Sequence, residues 1–354
     1  MSAGYKAVQW NAHKRVYDLV VLACVAGFVL TFVVASKLAH PAGATLGDEV
    51  LVIRALGACA FVLLHVILCI GPMARLDTRF APLLYNRRHL GVTMCLLATA
   101  HGLLSMGYYG GFGVESPASA MLVSAKTWWP IWEWPFELFG FAALLVIFVM
   151  GATSHDFWLA NLSARWWKRL HQCVYAAYVL LVAHVSLGAV RSEQGLTLPL
   201  MLGAGATIIA VLHVVAGLRE RARESRALAA EGEWVDVASV EEIPDGRAKV
   251  VCLRERERVA IFRHEGGLSA VSNVCAHQGG PLGEGKIVGG CITCPWHGYQ
   301  YLPHNGQSPP PFTEKLPTYE VRVRGGRVLL NPTPNAPGTA VTPTRLEGEP
   351  GGTP

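Results

Sequence analysis

Cys275-Ala276-His277 is followed, after sixteen residues, by Cys294-Pro295-Trp296-His297-Gly298. Each half of this stretch carries one Cys and one His, so two short loops could bring four ligands to one metal centre. Zinc sites usually group Cys with Cys and His with His. The mixed grouping instead favours a centre in which two thiolates bind one metal ion and two imidazoles bind another.

That division of ligands is the one found in a Rieske 2Fe-2S cluster. A structural zinc held by the same four residues and a dithiol pair formed by Cys291 and Cys294 are the alternatives. The whole run, Cys-x-His-x-Gly-Gly-x-Leu to Cys-Pro-Trp-His-Gly, resembles the Rieske domains of bacterial ferredoxins and ring-hydroxylating dioxygenases. The resemblance implies that the cluster ligands are Cys275, His277, Cys294 and His297.

The resemblance also carries an expectation about the reduction potential. Gly280 and Trp296 stand where respiratory-chain Rieske proteins have a disulfide, and Tyr299 stands where they have a serine that hydrogen-bonds a cluster sulfur. Fewer hydrogen bonds to the sulfurs lower the potential of such a cluster. The expected potential is therefore in the lower part of the Rieske range, below roughly 0 mV.

The composition indicates a membrane part. Of the 354 residues, 52% are hydrophobic and only 16% are charged, whereas soluble proteins have about 25% charged residues. The net charge of +5 is not gathered in a basic stripe, so a nucleic-acid partner is not expected. The nine cysteines do not form the pattern of a disulfide framework.

Six apolar runs predict an all-α bundle in a bilayer. They are Val16–Ser36, Val50–Ile70, His89–Met106, Phe136–Ala152, Leu170–Val190 and Leu196–Leu218. The first run is too long for the core of a signal peptide, so it is expected to be a retained helix. Lysines and arginines concentrate at the N-terminus and in segments 71–88, 153–169 and 219–226.

The positive-inside rule places those basic segments in the cytoplasm. We therefore expect a multi-pass protein of the inner (cytoplasmic) membrane, with both termini and the Rieske domain on the cytoplasmic side. The tryptophans between the third and fourth spans are expected at the outer interface; these are Trp128, Trp129, Trp132 and Trp134.

The predicted domain order follows from changes in composition. Residues 1–218 form the six-helix membrane domain, and residues 219–233, rich in Arg, Glu and Ala, form a helical linker. Short β-type runs separated by turn residues then predict a small all-β domain over residues 234–332. Residues 333–354, rich in Pro, Thr and Gly, are expected to be disordered.

Histidines inside the membrane are functional candidates, because a polar ring is costly there. His171 and His184 are thirteen residues apart in one span, about 20 Å along a helix axis, so they would serve different haems. The third and fifth spans run in the same direction, which places His101 at the depth of His184. His101 and His184 are therefore the natural bis-histidine pair.

The membrane part resembles the ferric reductase-like transmembrane family, which includes ferric reductases, NADPH oxidases and the haem-binding subunit of the periplasmic methionine sulfoxide reductase system. The resemblance implies one or two b-type haems, with His101, His171 and His184 at ligand positions. The matching motifs are Gly71-Pro72-Met73-Ala74-Arg75, Arg87-Arg88-His89-Leu90-Gly91 and Trp167-Lys168-Arg169-Leu170-His171.

The sequence leaves the identity of the fourth haem ligand open. Many family members have a His fourteen residues before the one at His101, where this chain has Arg87. His89 and His65 are the candidates in its place. For His65 and His213, a hydrogen-bonded histidine that ties two helices together is an equal alternative.

These predictions lead to a membrane-bound electron-transfer protein, an oxidoreductase component rather than an oxygenase. No Gly-x-Gly-x-x-Gly follows a strand, and residues 298–354 leave no room for the iron domain of a dioxygenase. Single electrons would pass between a cytoplasmic Rieske cluster and haem b. The donor would be a cytoplasmic redox protein or quinol, docking near Trp296 and Tyr299, and the acceptor a quinone, metal ion or periplasmic redox partner; the reverse direction is the alternative.

Two other functions are compatible with the sequence. One is a redox or iron sensor, or an assembly factor, that uses the cluster without net turnover. The other is a haem-binding membrane protein whose zinc-bound C-terminal domain is structural. Metal content would separate the zinc alternative from the first two.

Overall fold

The computed structural model describes residues 12–39, 46–110, 133–154, 164–193, 195–225, 234–253, 257–277, 279–296 and 298–346, with a few isolated positions between 113 and 122. Two compact units can be distinguished. One contains segments 10–71 and 86–213, and the other contains segments 72–85 and 214–354. The predicted sites at Trp128, Trp129, Trp132 and His297, and the linker residues 226–233, lie outside the described residues.

The described part of the membrane domain is helical, as the apolar runs predicted. Five spans are long and apolar enough to cross a membrane, and a sixth apolar helix has 17 residues. The prediction of six membrane helices is thus confirmed. The helices are α1 (Ala12–Ala39), α2 (Asp48–Leu76), α3 (Ala81–Tyr109), α4 (Phe136–Ala152), α5 (Ala164–Gln172), α6 (Val174–Val185) and α7 (Thr197–Ser225).

The fifth span is not a single regular helix. Helices α5 and α6 are separated only by a turn at Cys173, and a π-helical turn, Ser186–Val190, follows α6 directly. The last span continues as α7 to Ser225, into the predicted linker. Single π-helical turns are frequent at functional sites, and this one begins two residues after His184.

Small and apolar side chains fill the core of the bundle. Helix α1 contributes no buried side chain among residues 15–39, as expected for a helix whose apolar surface faces lipid. The other helices pack tightly enough to bury several side chains completely. The core residues are Ala60, Leu64, Leu68, Met94, Cys95, Ala143, Ile147, Ala177 and Ile209.

The described part of the C-terminal domain is built from short β-strands, which confirms the prediction of a small all-β domain. The strands are β1 (Val235–Ser239), β2 (Ala248–Cys252), β3 (Arg258–His264), β4 (Gly267–Ser272), β5 (Lys286–Val288), β6 (Cys291–Thr293), β7 (Gln300–Tyr301), β8 (Thr318–Tyr319), β9 (Val321–Arg324), β10 (Arg327–Leu330) and β11 (Thr344–Arg345). They form three small antiparallel sheets, ordered β1-β10-β9, β11-β4-β3-β2 with β8 also on β4, and β5-β6-β7.

Strand β3 separates two hydrophobic cores because successive side chains of a strand point to opposite faces. Val259 and Ile261 belong to the first core, with side chains from β1, β9 and β10. Ala260 and Phe262 belong to the second core, which also contains Cys275 and Cys294. The second core therefore lies directly beneath the predicted metal-binding loops.

The prediction of disorder was wrong for residues 333–346. Strand β11 pairs with β4, and Leu346 is buried in the first core. The intervening chain is held by backbone hydrogen bonds to three other segments, from Asn335 N–H to Thr318 O, from Gly338 N–H to Leu316 O and from Val341 N–H to His304 O. A segment poor in regular structure is thus ordered by partners that its composition does not reveal.

Candidate metal centres

Cys275 and Cys294 begin two loops with the same backbone design. The glycine four residues after each cysteine donates its N–H to the cysteine carbonyl, and each cysteine N–H donates to the carbonyl one residue further on. Both of these glycines have a φ of +70°, which side-chain-bearing residues rarely adopt. The bonds are Gly279 N to Cys275 O (2.7 Å), Gly298 N to Cys294 O (2.9 Å), Cys275 N to Gly280 O (2.9 Å) and Cys294 N to Tyr299 O (2.8 Å).

The two loops converge on a shared interior. The side chains of Cys275 and Cys294 are 2% and 1% exposed, and both pack in the second core. A Cβ on Gly280 of the first loop would lie only 2.8 Å from Sγ of Cys294 in the second. Cys275, Cys291 and Cys294 are not in disulfides, so neither of these two described loops is closed by one.

His277 lies beside the cysteines in the first loop. Its Nδ1 is buried, and its ring stacks on Tyr299, with 4.5 Å between ring centroids and 8° between ring planes. His297 lies outside the described residues, and among the described ones no group of three or more His, Cys, Asp and Glu side chains surrounds one point. The structure thus brings together Cys275, Cys294 and the loop that carries His277.

Tyr301 is a residue of this site that the sequence analysis missed. Its hydroxyl lies 3.2 Å from Sγ of Cys275 and accepts the His277 backbone N–H at 3.2 Å. Burial, with the neighbouring Cys275, raises the pKa of Tyr301, so the phenol keeps its proton and can donate to a thiolate. The alternation Tyr299-Gln300-Tyr301 was the available signal, since residues two apart in an extended chain share a face, and the two rings lie with 5.4 Å between their centroids.

Tyr301→Phe is expected to lower the reduction potential of a cluster bound here. A hydrogen bond to a ligand sulfur stabilises the more electron-rich, reduced state, and a difference of about 1 kcal/mol corresponds to about 40 mV for one electron. An EPR-monitored redox titration of the full chain measures the shift. An unchanged potential would mean that the Tyr301 hydroxyl does not bond the ligand sulfur.

These residues fit a 2Fe-2S cluster. Two buried thiols, an adjacent imidazole and a glycine in close contact with one sulfur provide soft ligands and room at the loop tips. The predicted docking face needs correction, because Tyr299 is only 3% exposed and packs in the second core. Trp296, which is partly exposed, is the residue of that pair that reaches the surface.

In the membrane domain, His101 and His184 face each other with 6.3 Å between ring centroids. Nδ1 of His101 donates to Ile53 O at 2.8 Å, and Nδ1 of His184 donates to Phe136 O at 2.9 Å. A carbonyl only accepts, so both protons are on Nδ1 and each Nε2 keeps its lone pair for a metal. Metal–nitrogen distances of about 2 Å on each side require ring centres roughly 6 Å apart, so the pair fits a bis-histidine haem.

Two glycines make room for these rings. A Cβ on Gly57 would lie 2.9 Å from the His101 ring, and a Cβ on Gly140 would lie 2.7 Å from the His184 ring. Both distances are too short for a real contact, so only glycine allows the rings their present positions. We call Gly57 and Gly140 the glycine seats.

The other membrane histidines are bonded differently. In both His65 and His213, Nδ1 lies within hydrogen-bonding distance of a backbone carbonyl, and Nε2 lies within hydrogen-bonding distance of a tyrosine hydroxyl. This is the arrangement of a histidine that ties helices together, and it gives His65 no support as a haem ligand. The partners are Phe61 O (2.8 Å) and Tyr178 (3.1 Å) for His65, and Ile209 O (2.9 Å) and Tyr175 (3.0 Å) for His213.

His171 and His89 lie apart from the facing pair. Nδ1 of His171 donates to Trp167 O at 3.1 Å and Nε2 lies 3.3 Å from Ser154 Oγ, while the ring stacks on the Trp167 indole. Nδ1 of His89 lies 2.9 Å from the Asp18 carboxylate. Thus only His101 and His184, of the five predicted haem-binding residues, are seen opposite each other.

Comparison with known proteins agrees with the families predicted for the two parts of the chain. The family described as "Rieske [2Fe-2S] domain" matches residues 233–320, and the family described as "Ferric reductase like transmembrane component" matches residues 55–182. The chain is similar to the ferredoxin component of an alkene monooxygenase system from Xanthobacter autotrophicus, with 35% identity over 103 residues. That match covers 29% of this chain and 84% of the ferredoxin.

Two further proteins are similar to this chain. The ferredoxin component of a naphthalene 1,2-dioxygenase system from Pseudomonas aeruginosa is 30% identical over 100 residues, which are 28% of this chain and 95% of the relative. A solved complex of reduced oxygenase and oxidized ferredoxin in carbazole 1,9a-dioxygenase matches with 26% identity and a TM-score of 0.28, covering 29% of this chain and 97% of that chain. The two family matches and the 35% identity to the alkene monooxygenase ferredoxin show that the chain belongs, through its C-terminal domain, to the Rieske [2Fe-2S] family, fused in one multi-pass membrane protein to a ferric reductase-like transmembrane component.

Proposed function

We propose that this protein passes single electrons between a Rieske cluster and a b-type haem in the membrane. Cys275, His277, Cys294 and His297 would hold the cluster, and the haem would lie between two opposed histidines of the bundle. The observation that carries the proposal is that one chain combines the paired Cys loops with the facing imidazoles of His101 and His184. When bound, such a cluster and such a haem each take up and release one electron at a time.

The residues of the membrane site orient the ligands. The carbonyls of Ile53 and Phe136 hold the protons of the two rings on Nδ1 and thereby leave the lone pair of each Nε2 available to a metal. The glycine seats let the rings approach neighbouring helices, while apolar side chains exclude water from the bundle core. These contacts favour one haem per chain, because none of the inner histidines faces another in the described residues.

The charge pattern indicates the side of the membrane on which each redox partner would bind. The basic segments favour a cytoplasmic Rieske domain and an inner-membrane location. A cytoplasmic redox protein or quinol would then be the donor, and a quinone, metal ion or periplasmic redox partner would be the acceptor. Relatives that serve as ferredoxin components of oxygenase systems support docking of the Rieske domain to another redox protein.

Separate removal of the two centres tests this proposal. In detergent-purified full chain, Cys275→Ser is expected to abolish the reduced Rieske EPR signal and leave the haem absorbance, since the two ligand sets do not overlap. His184→Gln is expected to do the reverse. The intact chain should show both signals, and electrons supplied to the cluster by a reduced ferredoxin should reach the haem. Zinc in place of iron, or haem that is not reduced through the cluster, would contradict the proposal.

A further inference from the structure

A third loop, residues 302–316, folds over the site next to the two Cys loops. It begins with a tight turn closed by the Leu302 N–H to Gln307 O and Gly306 N–H to Leu302 O hydrogen bonds, both 2.8 Å. Its end is fastened by the Leu316 N–H to Gly306 O bond at 2.9 Å. Between these points the third loop carries Phe312 and Glu314, neither of which belongs to the predicted ligand set.

Tyr299 connects the third loop to His277. One face of its ring stacks on the His277 imidazole, and the edge contact with the Phe312 ring is at 5.0 Å and 62°. The Tyr299 hydroxyl donates to the Glu314 carboxylate, which also accepts the Thr313 backbone N–H at 3.1 Å. The phenol is thus held at its edge and at its hydroxyl while its face covers the imidazole.

The stack itself suggests a positional role. The rings of Tyr299 and His277 are within 8° of parallel, with 4.5 Å between their centroids, which is the offset-stacked arrangement that aromatic pairs favour. An imidazole that is covered on one face by an anchored ring cannot rotate freely about its bond to the backbone. A carboxylate fixed to the far end of that phenol places a negative charge close to the ligand.

We propose that Tyr299 and Glu314 are positioning residues for His277, and that the Glu314 charge lowers the reduction potential of the cluster through the phenol. The inference rests on the proposed function, since it presupposes the 2Fe-2S cluster. Reduction adds an electron to the site, so a nearby negative charge disfavours the reduced state. The ring of Tyr299 fixes the orientation of the imidazole, and Glu314 fixes the ring.

The same domain offers a matched control. Tyr319 is fully buried and donates to the Glu257 carboxylate at 2.5 Å, but it packs in the first core rather than beneath the metal-binding loops. Variants of Tyr319 or Glu257 would lose the same kind of tyrosine–carboxylate hydrogen bond at a site that does not contact the predicted cluster ligands. Tyr319→Phe and Glu257→Gln therefore separate an effect on the cluster from general loosening of the domain.

The test is a redox titration of the full chain followed by EPR. Glu314→Gln is expected to raise the ratio of reduced to oxidised cluster about tenfold at a fixed potential, equivalent to 59 mV. In a Tyr299→Phe background the same substitution should have less than half that effect, because without the Tyr299 hydroxyl the Glu314 carboxylate is no longer held close to the ligand. Tyr299→Leu should change the nitrogen hyperfine couplings of the ligand histidine, whereas Tyr299→Phe should not.

Each contrary result has a distinct meaning. Equal potentials for Glu314→Gln and Glu257→Gln would overturn the charge effect, and fully additive shifts in the double variant would overturn its transmission through Tyr299. Unchanged nitrogen couplings in Tyr299→Leu would overturn the positional role. Zinc without a Rieske signal in the unsubstituted chain would overturn the proposed function, and this inference with it.

Discussion

Gly140→Ala is expected to remove most of the haem from the purified protein, and Gly57→Ala is expected to do the same. A Cβ on Gly140 would lie 2.7 Å from Cε1 and Nδ1 of His184, so the ring must move away. That movement breaks the Nδ1 hydrogen bond to Phe136 O and turns Nε2 away from His101. Losing the contacts that orient a metal-binding histidine typically costs about 10- to 100-fold in affinity.

Gly203→Ala in α7 is the control for the glycine seats. No heavy atom lies within 4 Å of a Cβ at Gly203, and alanine favours a helix over glycine by about 1 kcal/mol. This variant should therefore keep its haem and be at least as stable. Haem per chain, measured as the pyridine haemochrome, compares the variants. An equal amount of haem per chain in Gly140→Ala and Gly203→Ala would show that the present position of His184 is not the one in which it binds haem.

The facing pair could be predicted from sequence because depth in a membrane is nearly a linear function of residue number. A rise of about 1.5 Å per residue is enough to place His101 and His184 at one level. Rotation about the helix axis is not given by the sequence, so the tyrosine partners of His65 and His213 could not be foreseen. The glycine seats depend on which helices are neighbours, and they were missed for the same reason.

In the Rieske domain the predictable features were the local ones. The ligand motif, the strands and the turns are each encoded within a few residues. The contact of Tyr301 with Cys275 and that of Tyr299 with Glu314 join loops that are distant in sequence. Such contacts follow from packing in the second core, which no spacing rule describes.

A chain that ends at residue 332 is expected to have a much less stable Rieske domain, contrary to the disorder predicted for residues 333–354. Truncation would remove β11 from the edge of β4 and take Leu346 out of the first core. Burial of a leucine side chain is worth about 1.5–3 kcal/mol, and each hydrogen bond contributes on the order of 1 kcal/mol. The bonds lost include those of Asn335, Gly338, Val341 and Leu346 N–H.

The summed loss is on the order of 5 kcal/mol, which is comparable with the whole free energy of unfolding of many domains. Hydrogen exchange should therefore be compared between the full chain and the chain that ends at residue 332. The amides of β3 and β4 are expected to lose most of their protection in the truncated chain. A chain ending at Leu346 keeps every described contact of β11, so its protection should match that of the full chain. If both truncated chains kept full protection, residues 333–346 would add nothing to stability, and composition alone would have been the better guide to this segment.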